Sequence, residues 1–167
     1  MVKRTPAPKP NRPRDPNAPP KPKRPRDRLG RPLDWDAEGT LHLEDYDSLP
    51  LEENHRLGIE HFNAERFFPA HEAWETCWKQ VKQTDEAEFF KGLSQLGAGY
   101  THLLRGNPHG AFTLLRRGAG RIARYPAGLR GIDAPALAKA ALAAAEEIER
   151  ADAEGRSPER ITFPKIR

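Results

Sequence analysis

One cysteine, Cys77, is all that the 167 residues contain. That excludes a disulfide framework, and it excludes a structural zinc site built from several thiolates. It suits a reducing compartment, so the cytoplasm is the expected location. Long apolar runs are missing too. The longest, "APALAKAALAAA", is broken by Lys139 and falls short of the roughly 18 apolar residues that a membrane span needs. The N-terminus is basic but proline-rich, so the apolar centre of a secretory signal is not there. No convincing strand run and no internal repeat occur. Neither does a phosphate loop, a dinucleotide fingerprint or a nucleophilic serine elbow.

What is present divides into unlike parts. Residues 1–32 hold 10 of the 17 prolines, and 11 Lys/Arg against two Asp, a net charge of +9. The whole chain has net charge +4, so the remainder is acidic, at −5. Proline blocks helices and sheet ladders, and this stretch has too little apolar surface to offset the entropy of ordering. It reads as a disordered, extended arm. Its charge suits salt-dependent contact with nucleic acid or another polyanion, or simple solubilisation. The arm has no aromatic residue, which argues against base stacking. Residues 33–50 are irregular and carry six acidic side chains. Trp35, Leu41, Leu43 and Tyr46 offer a way for them to fold back on the domain.

Helical periodicity then governs residues 51–155. Five helices are expected, over 51–66, 69–82, 85–104, 108–124 and 133–153. Pro69 suits a first turn, Thr84 an N-cap, and Asn107-Pro108 an N-cap followed by the first helical position. Gly106 stops the third helix. The fifth has the stripe Leu137, Ala141, Ala144, Ala145 and Ile148. Short connections favour antiparallel neighbours, hence a small all-α bundle. Residues 156–167 form a tail whose Ile161 and Phe163 can pack on it.

The chemistry concentrates in "FFPAHEAWETCWKQ", residues 67–80. His71, Trp74, Glu75 and Trp78 fall at i, i+3, i+4 and i+7, on one helical face. A face with two tryptophans is expected to be buried, and an imidazole and a carboxylate there need partners. At i, i+4 they can chelate one metal ion, or bond to each other. The string reads HExxE rather than HExxH, so the zincin pattern is incomplete, and Glu72 falls on another face at the rim. In the third helix Gln95, Gly99 and His102 make a second polar stripe. Antiparallel packing would bring Gln95 and His102 to His71 and Glu75. Gly92, Gly97 and Gly99, costly in a helix, make sense where a neighbour comes close. Arg117, Arg121 and Arg124 align on the fourth helix as a solvated face.

Residues 58–125 resemble a bacterial and archaeal family known as domain of unknown function 309. Two blocks in order carry the resemblance. The first matches Phe62, Asn63, Phe68, Ala70, His71, Glu72, Trp74, Glu75 and Trp78. The second matches Gly92, Leu93, Gln95, Leu96, Tyr100, His102, Gly106, Asn107, Gly110 and Ala111. Ser94, Gly97 and Gly99 depart from the family pattern. The resemblance implies an all-helical domain, and a motif suggested to bind metal. Some members are labelled predicted metal-dependent hydrolases.

The resulting expectation is a divalent-metal pocket with ligands His71, Glu75 and His102. Gln95, Trp74, Trp78, Glu72, Asn63 and Tyr100 would surround it. As an enzyme it would be a hydrolase, with water activated by the metal as nucleophile. The competing expectation is a non-catalytic interaction module whose basic arm contacts nucleic acid or an acidic partner. A homodimer with a purely structural polar pocket is a third. No membrane association is expected.

Overall fold

A computed structural model describes residues 23–167. The polyanion contact expected of the arm falls mostly on residues 1–22, outside the described residues. Five helices follow a short 3-10 turn at Tyr46–Ser48: α1 (Leu51–Asn63), α2 (Phe67–Gln80), α3 (Ala87–Leu104), α4 (Pro108–Ile122) and α5 (Ala134–Ala153). Each packs chiefly on its neighbours in the chain, α1 on α2, α2 on α3, α3 on α4 and α4 on α5. This is the expected all-α architecture. Among the described residues the only β pairing is two isolated bridges, Arg26–Pro32 and Leu129–Ile132. No helix among them is long and apolar enough to cross a membrane.

The helix ends follow local chemistry. Asn107 Oδ1 accepts from Gly110 N at 3.1 Å, and Asp133 Oδ1 from Ala136 N at 3.1 Å, so α4 and α5 open on side-chain caps with proline behind them. α2 begins two residues before the expected start, because Pro69 sits inside the first turn, where its missing N–H needs no partner. α3 begins at Ala87 rather than 85. Thr84 bonds Val81 O and Glu86 N, closing the preceding turn instead of capping the helix. Gly106, at φ +73°, ends α3.

Residues 23–41, expected as arm and acidic linker, adopt a definite path. Gly30, at φ +75°, lies on the Phe68 ring so closely that a Cβ would sit 2.6 Å from it. Arg105 donates to Leu29 O and stacks on Phe68 at 5.6 Å. Thr40 and Leu41 amides bond Arg26 O. The fold-back of residues 33–50 uses fewer side chains than expected. Tyr46 is buried and Leu41 half-buried, but Trp35 is 63% exposed and Leu43 43%. At the other end, Ile166 is clasped by Asn63 through two 2.7 Å bonds, and Phe163 meets Phe67 and Tyr100.

In the core, Trp74 Nε1 donates to His55 Nδ1 at 3.1 Å, and His55 Nε2 lies 2.8 Å from Arg130 O. Because both neighbours are fixed in role, His55 is neutral with its proton on Nε2. Burial holds its pKa below the ordinary imidazole value. The unfolded chain therefore takes up this proton first as pH falls. The contribution of His55 to stability is complete above about pH 6.5 and is lost as pH drops below it. Thermal melting between pH 7.5 and 5 should show a smaller loss in His55→Gln than in the wild type; equal losses would refute this account.

Candidate metal centre

α2 carries His71, Glu72 and Glu75 within little more than one turn. Their side chains are 25%, 33% and 35% exposed, so the group sits at a surface rather than in the core. His71 Nε2 lies 3.9 Å from Glu72 Oε1 and 3.7 Å from Glu75 Oε2. One donor atom from each of the three falls within 4.8 Å of the others. Lys79 also approaches Glu75, at 3.7 Å.

α3 fixes the imidazole. His71 Nδ1 lies 3.0 Å from Ser94 O and 2.8 Å from Ser94 Oγ, and Ser94 Oγ donates to His71 O at 3.1 Å. A backbone carbonyl only accepts, so Nδ1 carries the proton. In neutral His71 the lone pair is then on Nε2, facing the two carboxylates. A histidine that gives its other N–H to a carbonyl is the form that binds metals. One imidazole nitrogen and two carboxylates form a mixed N/O donor set suited to first-row divalent cations. Bonds of about 2.0–2.2 Å would need the donors only slightly closer than they stand. The residues fit a cation.

The donor set differs from the expected one by one member, Glu72 in place of His102. His102 lies near enough to His71 to feel its charge. Burial, then the charges of Arg105 and His71, hold its pKa below the ordinary value. Its Nδ1 is taken, however. Asn107 Oδ1 is committed to Gly110 N, so its Nδ2 donates to His102 Nδ1 at 3.1 Å. His102 thus serves the α3–α4 junction.

The rotation of α3 accounts for the other differences. Ser94 and Gly97 face α2, whereas Gly92, Gln95 and Gly99 face α4. Gln95 Oε1 accepts from Arg121 at 3.0 Å, and Arg121 also pairs with Glu88. A Cβ on Gly97 would lie 2.9 Å from His71 N, and one on Gly99 2.8 Å from Leu115 Cγ. Trp74 is a core residue bonded to His55, and Trp78 lies under the ammonium groups of Lys82 and Lys91 at 5.4 and 5.2 Å. Asn63 holds the C-terminal tail. Tyr100 is buried among Phe62, Phe67 and Phe163. Burial pushes the Cys77 thiol up to about 12, which removes it as a thiolate donor. Ser94 was visible in the sequence only as a departure from the family pattern.

Residues 55–114 match the family model described as Domain of unknown function (DUF309). Over these residues the chain is similar to the DUF309 family. The match runs from α1 into α4, slightly shorter than the resemblance read over 58–125, and includes His71, Glu72, Glu75, Ser94 and His102. No curated protein and no solved structure matches the chain.

Gly97 sits where α3 comes against the α2 backbone at His71. Gly97→Ala should lower the melting temperature, at a cost of about 1–3 kcal/mol for forced overpacking. Gly120 lies on α4 with open space around it, so Gly120→Ala should raise the melting temperature, by up to about 1 kcal/mol of helix propensity. Two shifts of the same sign would contradict the packing described.

Proposed function

We propose that the helical domain holds a divalent cation at His71, Glu72 and Glu75 and acts as a metal-dependent hydrolase. The observation that carries the reading is the His71 hydrogen bond to Ser94 O. It leaves Nε2 as an acceptor, 3.7–3.9 Å from two carboxylate oxygens. A structural role alone would be met by an imidazole with both nitrogens bonded inside the protein, as in His55 and His61.

A cation at this place supplies Lewis acidity toward a substrate oxygen or a water. The chain's own groups do the rest. Ser94 holds the imidazole ring in place. Lys79, 3.7 Å from Glu75, steadies that carboxylate. Glu72 borders an open groove and is the ligand nearest to incoming substrate. All three donors come from one side, which leaves the solvent side for substrate and water, the arrangement of catalytic rather than structural sites.

The test is metal uptake. Protein purified without chelator and offered Mn²⁺ or Zn²⁺ should bind about one equivalent, and His71→Ala should lose it. Ser94→Ala should weaken binding about tenfold, as removal of an orienting partner does. His102→Ala should retain the metal, which separates this donor set from one using His102. Negligible uptake by both wild type and His71→Ala would sink the proposal. The hydrolase half fails if metal-loaded protein cleaves none of a panel of carboxylic and phosphoric esters.

A further inference from the structure

Beside Glu72 the N-terminal segment and α2 enclose an open groove of about 590 Å³. Its lining mixes basic and apolar residues. Lys23, Arg24 and Arg26 line it together with Glu72, and Asp34 adds a second carboxylate at Arg24. Leu41 and Phe68 bring apolar surface. The basic side is preorganised. Arg26 Nη1 donates to Gly30 O at 2.5 Å, and Arg24 donates to Leu33 O and pairs with Asp34 at 3.5 Å. The carbonyl of Arg26 is tied to the amides of Thr40 and Leu41, which hold the groove's far wall. The segment itself is pinned by Phe68 under Gly30 and by Arg105 on Leu29.

We infer that this groove binds a phosphomonoester, with its phosphoryl group among Lys23, Arg24 and Arg26 and its organic part on Leu41 and Phe68. Lys23, Arg24 and Arg26 outnumber the carboxylates of Glu72 and Asp34, which favours an anion, and guanidinium forks suit phosphoryl oxygens. The groove is far larger than a phosphate ion, so an organic portion fills the apolar side. Glu72 joins the groove to the cluster on α2. Because Glu72 belongs to both, the phosphomonoester held in the groove is the substrate class assigned to the cation site. That last step rests on the metal reading above; the groove's affinity for phosphoryl groups does not.

Phenyl phosphate, added to the full chain in excess chelator and followed by backbone amide NMR, separates the two. The expected result is a saturable shift of the Gly39, Leu41 and Glu72 amides. Inorganic phosphate should bind more weakly and benzoate more weakly still. Lys23→Gln/Arg24→Gln should weaken phenyl phosphate about fivefold, the effect of two partly exposed charges. Lys23→Gln alone, which leaves the Arg24 bonds in place, should act in the same direction. Glu72→Gln should tighten phenyl phosphate in chelator, by removing a carboxylate from the wall, and weaken metal uptake. With Mn²⁺ present, wild type should bind phenyl phosphate more tightly than in chelator. Shifts confined to residues 1–22, or equal affinity in wild type and Lys23→Gln/Arg24→Gln, would overturn the groove. Binding in chelator that Mn²⁺ leaves unchanged would keep the groove and reject its link to the cluster.

Discussion

The backbones of α2 and α3 meet at His71 and Gly97 more closely than any Cβ would permit. The candidate site depends on that approach. With the helices this near, the carbonyl and hydroxyl of Ser94 reach the His71 ring, and the ring cannot turn without losing both. The glycine costs up to about 1 kcal/mol of helix propensity. What it returns is a rigid imidazole at a helix surface, on elements rather than on a loop. Gly92 and Gly118 do the same for α3 and α4, which fixes the rotation of α3 from its other side.

The histidines show how placement decides role. His55 receives Trp74 and gives to Arg130, so both nitrogens are used within the core. His61 receives Arg66 at Nδ1 and faces Glu44 at Nε2, bridging α1 to the linker. His102 receives Asn107 and braces a helix junction. His71 has one nitrogen held by a carbonyl and the other turned to two carboxylates at the surface. Four identical side chains thus divide into core, bridge, brace and candidate ligand by what their neighbours donate and accept.

Two extended segments frame the helices. The tail closes on Asn63, which bonds Ile166 on both its amide and its carbonyl. The segment from Lys23 to Leu43 crosses the start of α2, with Phe68 beneath it. The basic charge that looks like a loose tail in the sequence is therefore partly built into a groove wall. The acidic excess of the remaining chain supplies ion pairs between elements, such as Arg130 of the α4–α5 loop with Glu86 before α3, and Arg121 of α4 with Glu88 of α3.

Local signals along the chain specify the elements. Periodicity, two capped starts and a glycine stop placed five helices to within a few residues, because those signals are local. The stripe on α5 and the burial of Trp74 were legible for the same reason. His71 and Glu75 were also legible, since i, i+4 spacing joins them without any tertiary contact. Only the tertiary structure decided which face of α3 meets α2. Gln95 and Ser94 are one residue, about 100° of rotation, apart, and periodicity pointed to the stripe of Gln95, Gly99 and His102. Glycine packing settled it, turning Ser94 to His71 and Gln95 to Arg121. Glu72 entered the cluster because long carboxylate side chains at an exposed helix surface reach across faces that ideal spacing keeps apart. The groove beside it depends on contacts between residues tens of positions apart, such as Leu29 with Arg105, which no local pattern encodes.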